Sequence, residues 1–130
     1  MDLVFCQFQD LHKMSYRPGT HILATLETAS NELLQDHQAF RQKINELIIT
    51  YDLQKLGEVY HKFEPGGFTA VICLSESHIS IHTWPEHQLI NLDIYLSNYQ
   101  RNNDGTVAGI YHSLQQYFQA GVQAHQTLSR

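Results

Sequence analysis

The stretch FTAVICLSESHISIHTWPEHQLINLDIYL, residues 68–96, decides the fold. It opens on an apolar run from Phe68 to Leu74, continues through Ser77 to His82, turns around Pro85, and closes with Ile90, Leu92, Ile94 and Leu96 alternating with Asn91, Asp93 and Tyr95. Successive side chains of a strand point to opposite faces, so the closing period of two describes a strand with one face buried and one wet. The same pattern sets Glu76, His78, Ser80 and His82 against Ser77, Ile79 and Ile81.

Working outward, Leu56 to Phe63 reads as a strand, and Glu64-Pro65-Gly66-Gly67 supplies the turn that makes it a hairpin with the run from Phe68. Further upstream, His21 to Leu26 is strand-like. Thr28, Ser30 and Asn31 then offer caps for a helix with Glu32 in its first turn. Leu33, Leu34, Phe40, Ile44, Leu47, Ile48 and Tyr51 recur at helical spacing, which predicts one helix running to about Tyr51. Downstream, Val107, Ile110, Tyr111, Leu114, Tyr117 and Phe118 mark a second amphipathic helix, with Gly121 as its stop before a short final strand from Val122 to Leu128. The order is βα, a run of strands, then αβ. Strands clustered between two helices favour an α+β fold, a mostly antiparallel sheet with two helices packed on one face. The other face then needs cover, and face-to-face pairing with a second protomer would supply it. Residues 1–18, ending in Arg17-Pro18-Gly19, read as an arm or edge strand.

At 130 residues, 42% hydrophobic and 16% charged, the chain suits one packed domain spanning 1–130. Eight Lys and Arg against 13 Asp and Glu give a net charge of −5, which lacks the basic footprint of a nucleic-acid binder. An acidic balance suits a cationic small molecule, although solubility alone also explains it. Asp2 stands where a secretory leader would be basic, no apolar run approaches a membrane span, and Cys6 and Cys73 form no disulfide framework. A cytoplasmic protein with no membrane partner is expected.

Reactive side chains are densest from Ser75 to His87, with His78, His82 and His87 beside Glu76 and Glu86. A zinc site of the HExxH kind needs a helix, which this β-branched segment disfavours. A hydrolase elbow needs glycines around its serine, and Ser77 has Glu76 and His78 instead. A strand with one solvated face accounts for the pattern without any chemistry.

Glu76-Ser77-His78, followed by His82-Thr83-Trp84-Pro85-Glu86, resembles the signature of the prokaryotic S-adenosylmethionine decarboxylases, proenzymes that cut themselves to make a pyruvoyl cofactor. The Gly19 and His21 strand start, the long helix, the Phe63 hairpin and the Asp93 strand also stand in the family's order, so the resemblance covers roughly residues 19–128. It implies cleavage between Glu76 and Ser77: the serine hydroxyl attacks the preceding carbonyl, the ester undergoes β-elimination, and the new amino terminus becomes the pyruvoyl group. His82 is implied as the base for the serine α-proton, as an imidazole titrating near neutrality can be, and Thr69 stands where the family has a processing serine. The pyruvoyl ketone, needing no metal, would form a Schiff base with the substrate amine. Phe63 would lie against the adenine or sulfonium and Glu86 would bind the ribose hydroxyls. The plain readings of Thr69, Phe63 and Glu86 are a strand residue, a core aromatic and a solvated carboxylate.

The chain also departs from that pattern. Ser97 occupies the position of the family's proton-donating cysteine, and a hydroxyl is a far weaker acid than a thiol, so His78, Cys73 or a water are alternative donors. His87-Gln88 replaces the usual Glu-x-Gly continuation, and Thr25 stands where an acid is common. The resemblance thus implies a homodimeric pyruvoyl-dependent decarboxylase of polyamine biosynthesis with S-adenosylmethionine as default substrate. Arginine or ornithine decarboxylation is the alternative within the family, and an uncleaved binding or regulatory homologue the alternative of another class.

Overall fold

In the computed structural model, which describes residues 16–130, the alternation of residues 68–96 becomes three neighbouring strands of one antiparallel sheet. The elements run β1 (Thr20–Glu27), α1 (Asn31–Gln35), α2 (His37–Thr50), β2 (Lys55–Lys62), β3 (Phe68–Leu74), β4 (Ser77–Trp84), a single 3₁₀ turn (Pro85–His87), β5 (Leu89–Leu96), α3 (Asp104–Tyr117) and β6 (Gly121–Ser129). The sheet order is β2-β3-β4-β5-β1-β6, with every neighbouring pair antiparallel. The α+β expectation therefore holds. Most of the expected arm over residues 1–18 lies outside the described residues, and Tyr16, Arg17 and Pro18 belong to no strand.

One face of the sheet is buried under the helices. Ile72, Ile79, Ile90, Ile94 and Leu96 are fully buried against Phe40, Ile44, Ile110, Leu114 and Phe118. Removing alternate apolar residues of β1, β3, β4 and β5 from water is what holds the helices on this face.

The expected single helix to Tyr51 is two helices. Its break falls at Asp36 (φ −93°, ψ 83°), whose carboxylate accepts from the Ala39 N–H at 2.9 Å and so caps α2. Ser30 caps α1 in the expected way, accepting from the Leu33 N–H at 3.3 Å. An aspartate competes well for exposed N–H groups, and here that competition wins over continuous helix. Among the described residues the sheet thus carries three helices rather than two. Gly121 is likewise not the stop of α3. Gln119 takes the left-handed turn (φ 53°) while the Ala120 N–H bonds the Gln115 carbonyl, and Gly121 opens β6 opposite Glu27.

Among the described residues, no helix lies on the other face. His21, Thr25, Thr69, Ser80, His82, Asn91 and Asp93 point there, and Thr25, Thr69, Ser80, His82, Asn91 and Asp93 line an open trough of about 780 Å³.

Candidate active site

Two groups of side chains stand at opposite ends of β4. The first surrounds the Glu76–Ser77 bond. Ser75 and Glu76 form a two-residue hairpin loop, with Leu74 and Ser77 paired across it. Such loops ordinarily take positive φ at one or both loop residues. Here neither does, and the positive φ falls on Ser77 itself, at 134°. A non-glycine residue there is strained, at a cost of order 1–3 kcal/mol.

Two neighbouring segments hold this strained bond. Leu96 pairs with Ser77, so the chain leaving β5 passes beside the loop, and the Ser97 N–H donates to the Glu76 carbonyl at 2.8 Å. Ser97 is fixed in turn by Asn103, whose side-chain amide donates to the Ser97 carbonyl at 2.9 Å. The Glu76 carboxylate receives two bonds from Arg101, at 3.0 and 2.9 Å, and the same guanidinium donates to the Tyr51 and Asp52 carbonyls at the end of α2. This fork fixes orientation as well as charge. Ser77 Oγ lies 3.1 Å from His78 Nδ1. The His78 ring packs near His21 and Tyr95, with centroids 6.2 and 6.0 Å away. Burial first, then the neighbouring His21, hold its pKa below the ordinary imidazole value, so the ring is neutral near pH 7.

The second group is aromatic. The His82 ring lies between Phe63 at 5.3 Å and Trp84 at 4.4 Å, centroid to centroid. Trp84 is fixed by its indole N–H to Asn91 Oδ1 at 2.7 Å, and Asn91 in turn donates to Thr25 Oγ1 at 3.2 Å. Thr69 is the cross-strand partner of His82 and its hydroxyl donates to the Ile81 carbonyl at 3.1 Å. Glu86 stands exposed in the 3₁₀ turn two residues beyond Trp84.

The structure therefore brings Ser77 together with Glu76 and Ser97, and His82 together with Phe63 and Thr69. It does not join the two groups within the chain. Five strand residues at about 3.3 Å each separate Ser77 from His82 by roughly 16 Å.

The sequence profile described as S-adenosylmethionine decarboxylase matches residues 20–130. The chain belongs to the S-adenosylmethionine decarboxylase family. It is 43% identical over 77 residues to the S-adenosylmethionine decarboxylase proenzyme of Archaeoglobus fulgidus, covering 59% of this chain and 69% of that one. It is 35% identical over 91 residues to the proenzyme of Picrophilus torridus, covering 70% of each chain. A relative of the same name in Aquifex aeolicus is 40% identical over 77 residues, which are 57% of its length. The crystal structure of the adenosylmethionine decarboxylase from Aquifex aeolicus superposes with a TM-score of 0.72 and 26% identity over 88% of this chain and 90% of that one.

In this member of the S-adenosylmethionine decarboxylase family, Arg101, Asn103 and Asn91 are the polar groups that reading the sequence did not find. Arg101 reaches the site from a distant segment, 25 residues from the Glu76 it holds, whereas Asn103 and Asn91 stand six and seven residues from Ser97 and Trp84, which they bond. No local period announces such a contact. Asn91 was visible only as a polar residue on the wet face of β5.

Proposed function

We propose that this chain cuts itself between Glu76 and Ser77 and that the pyruvoyl group formed at position 77 serves the decarboxylation of S-adenosylmethionine in polyamine biosynthesis. The observation that carries the reading is the Glu76–Ser77 bond itself. In a member of this family it sits in a strained turn, with its carbonyl already accepting an N–H and its serine hydroxyl already hydrogen-bonded. The donor to the carbonyl stands where negative charge develops when the hydroxyl adds, which is where a preorganised donor helps most. A pyruvoyl ketone supplies an electron sink for the charge left when carbon dioxide departs.

The separation of Ser77 from His82 favours a site built from two chains. Pairing two copies by their helix-free faces, around a twofold axis near Ser80 in the middle of β4, would bring the Ser77 end of one strand to the His82 and Thr69 end of the other. His82 would then take the serine α-proton across the interface. The same pairing would cover the trough and place Phe63, His82, Trp84 and Glu86 beside the reacting centre. Stacked rings there suit a sulfonium or adenine, with cation–π attraction of about 0.5–2 kcal/mol, and Glu86 suits ribose hydroxyls.

No helix among the described residues is long and apolar enough to cross a membrane. The working form we infer is a cytoplasmic homodimer acting on a small cationic amino compound.

The test is carbon dioxide release from S-adenosylmethionine, arginine and ornithine. S-adenosylmethionine is the expected substrate. Hydrogen bonds to charged groups contribute about 1.5–3 kcal/mol, so Glu86→Gln should lower its kcat/KM about tenfold or more. Turnover of arginine or ornithine with none of S-adenosylmethionine would reverse the substrate assignment. No release from any of the three would favour an uncleaved binding or regulatory role.

Ser97, beside the scissile bond, takes the proton-donor position with a much weaker acid than a thiol. A well-placed proton donor is worth about 10²–10⁴-fold, so Ser97→Cys should raise turnover or prolong the active lifetime, read by following product and surviving activity together. Unchanged rate and lifetime would remove Ser97 from that role.

A further inference from the structure

We propose that His78 is the base for the first step of self-cleavage, taking the Ser77 hydroxyl proton at Nδ1 within the same chain. The proposal rests on the self-processing reading above and adds a residue and a division of labour to it. Ser77 Oγ and His78 Nδ1 are 3.1 Å apart, within reach for direct proton transfer. His82, roughly 16 Å along the same strand, has no such access without a second copy. For Nδ1 to accept, the ring proton sits on Nε2.

The atoms balance without any co-reactant. The Ser77 O–H bond breaks and its proton passes to His78 Nδ1 as Oγ adds to the Glu76 carbonyl carbon. The Ser97 N–H, 2.8 Å from the carbonyl oxygen, holds the oxyanion. The Glu76–Ser77 C–N bond then breaks, and the imidazolium returns the proton to the departing Ser77 nitrogen. An amide becomes an ester and a free amine, with no net change in protons or electrons. Breaking the C–N bond also releases the strain at Ser77, where φ is 134°. Arg101 acts as a positioning residue, because its fork on Glu76 keeps the loop in place while the bond is exchanged.

Elimination from the ester is a different task, removal of a carbon-bound proton, and it falls to His82 of a second copy. One histidine thus serves each step, the first within a chain and the second between chains.

The groups facing His78 are His21 from β1, Asp93 and Tyr95 from β5, Cys73 across from it on β3, and Arg130 after β6. Burial, His21 and Arg130 favour the neutral ring against the opposing pull of Asp93. The base form is therefore present at neutral pH, and ester formation should fall off only as pH drops through a midpoint below the ordinary imidazole value of about 6.5.

Hydroxylamine cleaves an ester but leaves the amide, so it reports the first step alone. Full-length His82→Ala protein is expected to be split by hydroxylamine into residues 1–76 and a fragment with an amino-terminal serine. Adding His78→Asn, which keeps a hydrogen-bonding atom near the Nδ1 position but cannot act as a base near neutrality, should slow appearance of the hydroxylamine-sensitive form by about 10²–10⁴-fold. A thermal melt equal to that of His82→Ala would show the fold retained, and the pH profile of ester formation in His82→Ala gives a second reading that needs no change at residue 78. Equal rates of ester formation with and without His78→Asn, or a profile whose midpoint lies at or above the ordinary imidazole value of about 6.5, would overturn the role of His78. No hydroxylamine-sensitive form in His82→Ala, while the wild-type chain is cut, would overturn the division into two steps and leave self-processing standing. A wild-type chain that stays whole would sink both.

Discussion

Ser77→Ala protein is expected to remain one intact chain and to release no carbon dioxide from S-adenosylmethionine, under conditions where the wild-type chain is cut and active. Alanine removes both the nucleophile for the Glu76 carbonyl and the oxygen that must leave in β-elimination. It removes little else. Among the described residues the Ser77 hydroxyl bonds the neighbouring His78 ring, and alanine keeps the Cβ and the same backbone strain at this half-buried position. A normal melting temperature should therefore accompany the complete loss of processing, which separates lost chemistry from lost fold. A cut Ser77→Ala chain, or one that still decarboxylates, would place the chemistry elsewhere.

Co-expression of Ser77→Ala and His82→Ala chains should restore cleavage that neither shows alone, and only the His82→Ala chain should be cut. The expectation comes from the strand geometry. Ser77 and His82 stand roughly 16 Å apart on β4, and the two-chain site proposed above takes one of them from each copy. A mixed dimer has one site with Ser77 from the His82→Ala chain and His82 from the Ser77→Ala chain, and a second site with neither. With equal expression and random pairing, about half of the His82→Ala chains sit in mixed dimers, which sets the ceiling for cleavage. Complete absence of cut chain, with mixed dimers verified by two different tags, would mean that the histidine acts within its own chain.

How far the fold could be read from sequence depended on how local its cause was. Ile90, Leu92, Ile94 and Leu96 announce β5 because burying one face of a strand needs only a period of two. The break at Asp36 was hidden because Leu33, Leu34, Phe40 and Ile44 keep helical spacing through it, and a cap changes one residue without disturbing that spacing. Gln119 was missed because glycine is the ordinary left-handed residue at a helix end, and Gly121 stood two positions away. The site divides in the same way. Glu76, Ser77, His82 and Glu86 share one short segment and were visible together through their resemblance to a known family. Their partition into two groups follows from strand geometry, since Ser77 and His82 lie an odd number of residues apart and far along β4. Reading them as one contiguous motif concealed it. The Arg101 fork and the Ser97 N–H arise from pairing between distant segments, and neither has a local pattern to betray it.

The most direct test of self-processing at Glu76–Ser77 is the mass of the purified wild-type chain after prolonged incubation. The expected result is two fragments: residues 1–76 ending in an ordinary carboxylate, and residues 77–130 lighter than a serine-started fragment by one ammonia, as a pyruvoyl terminus requires. A single uncut chain of 130 residues would contradict it.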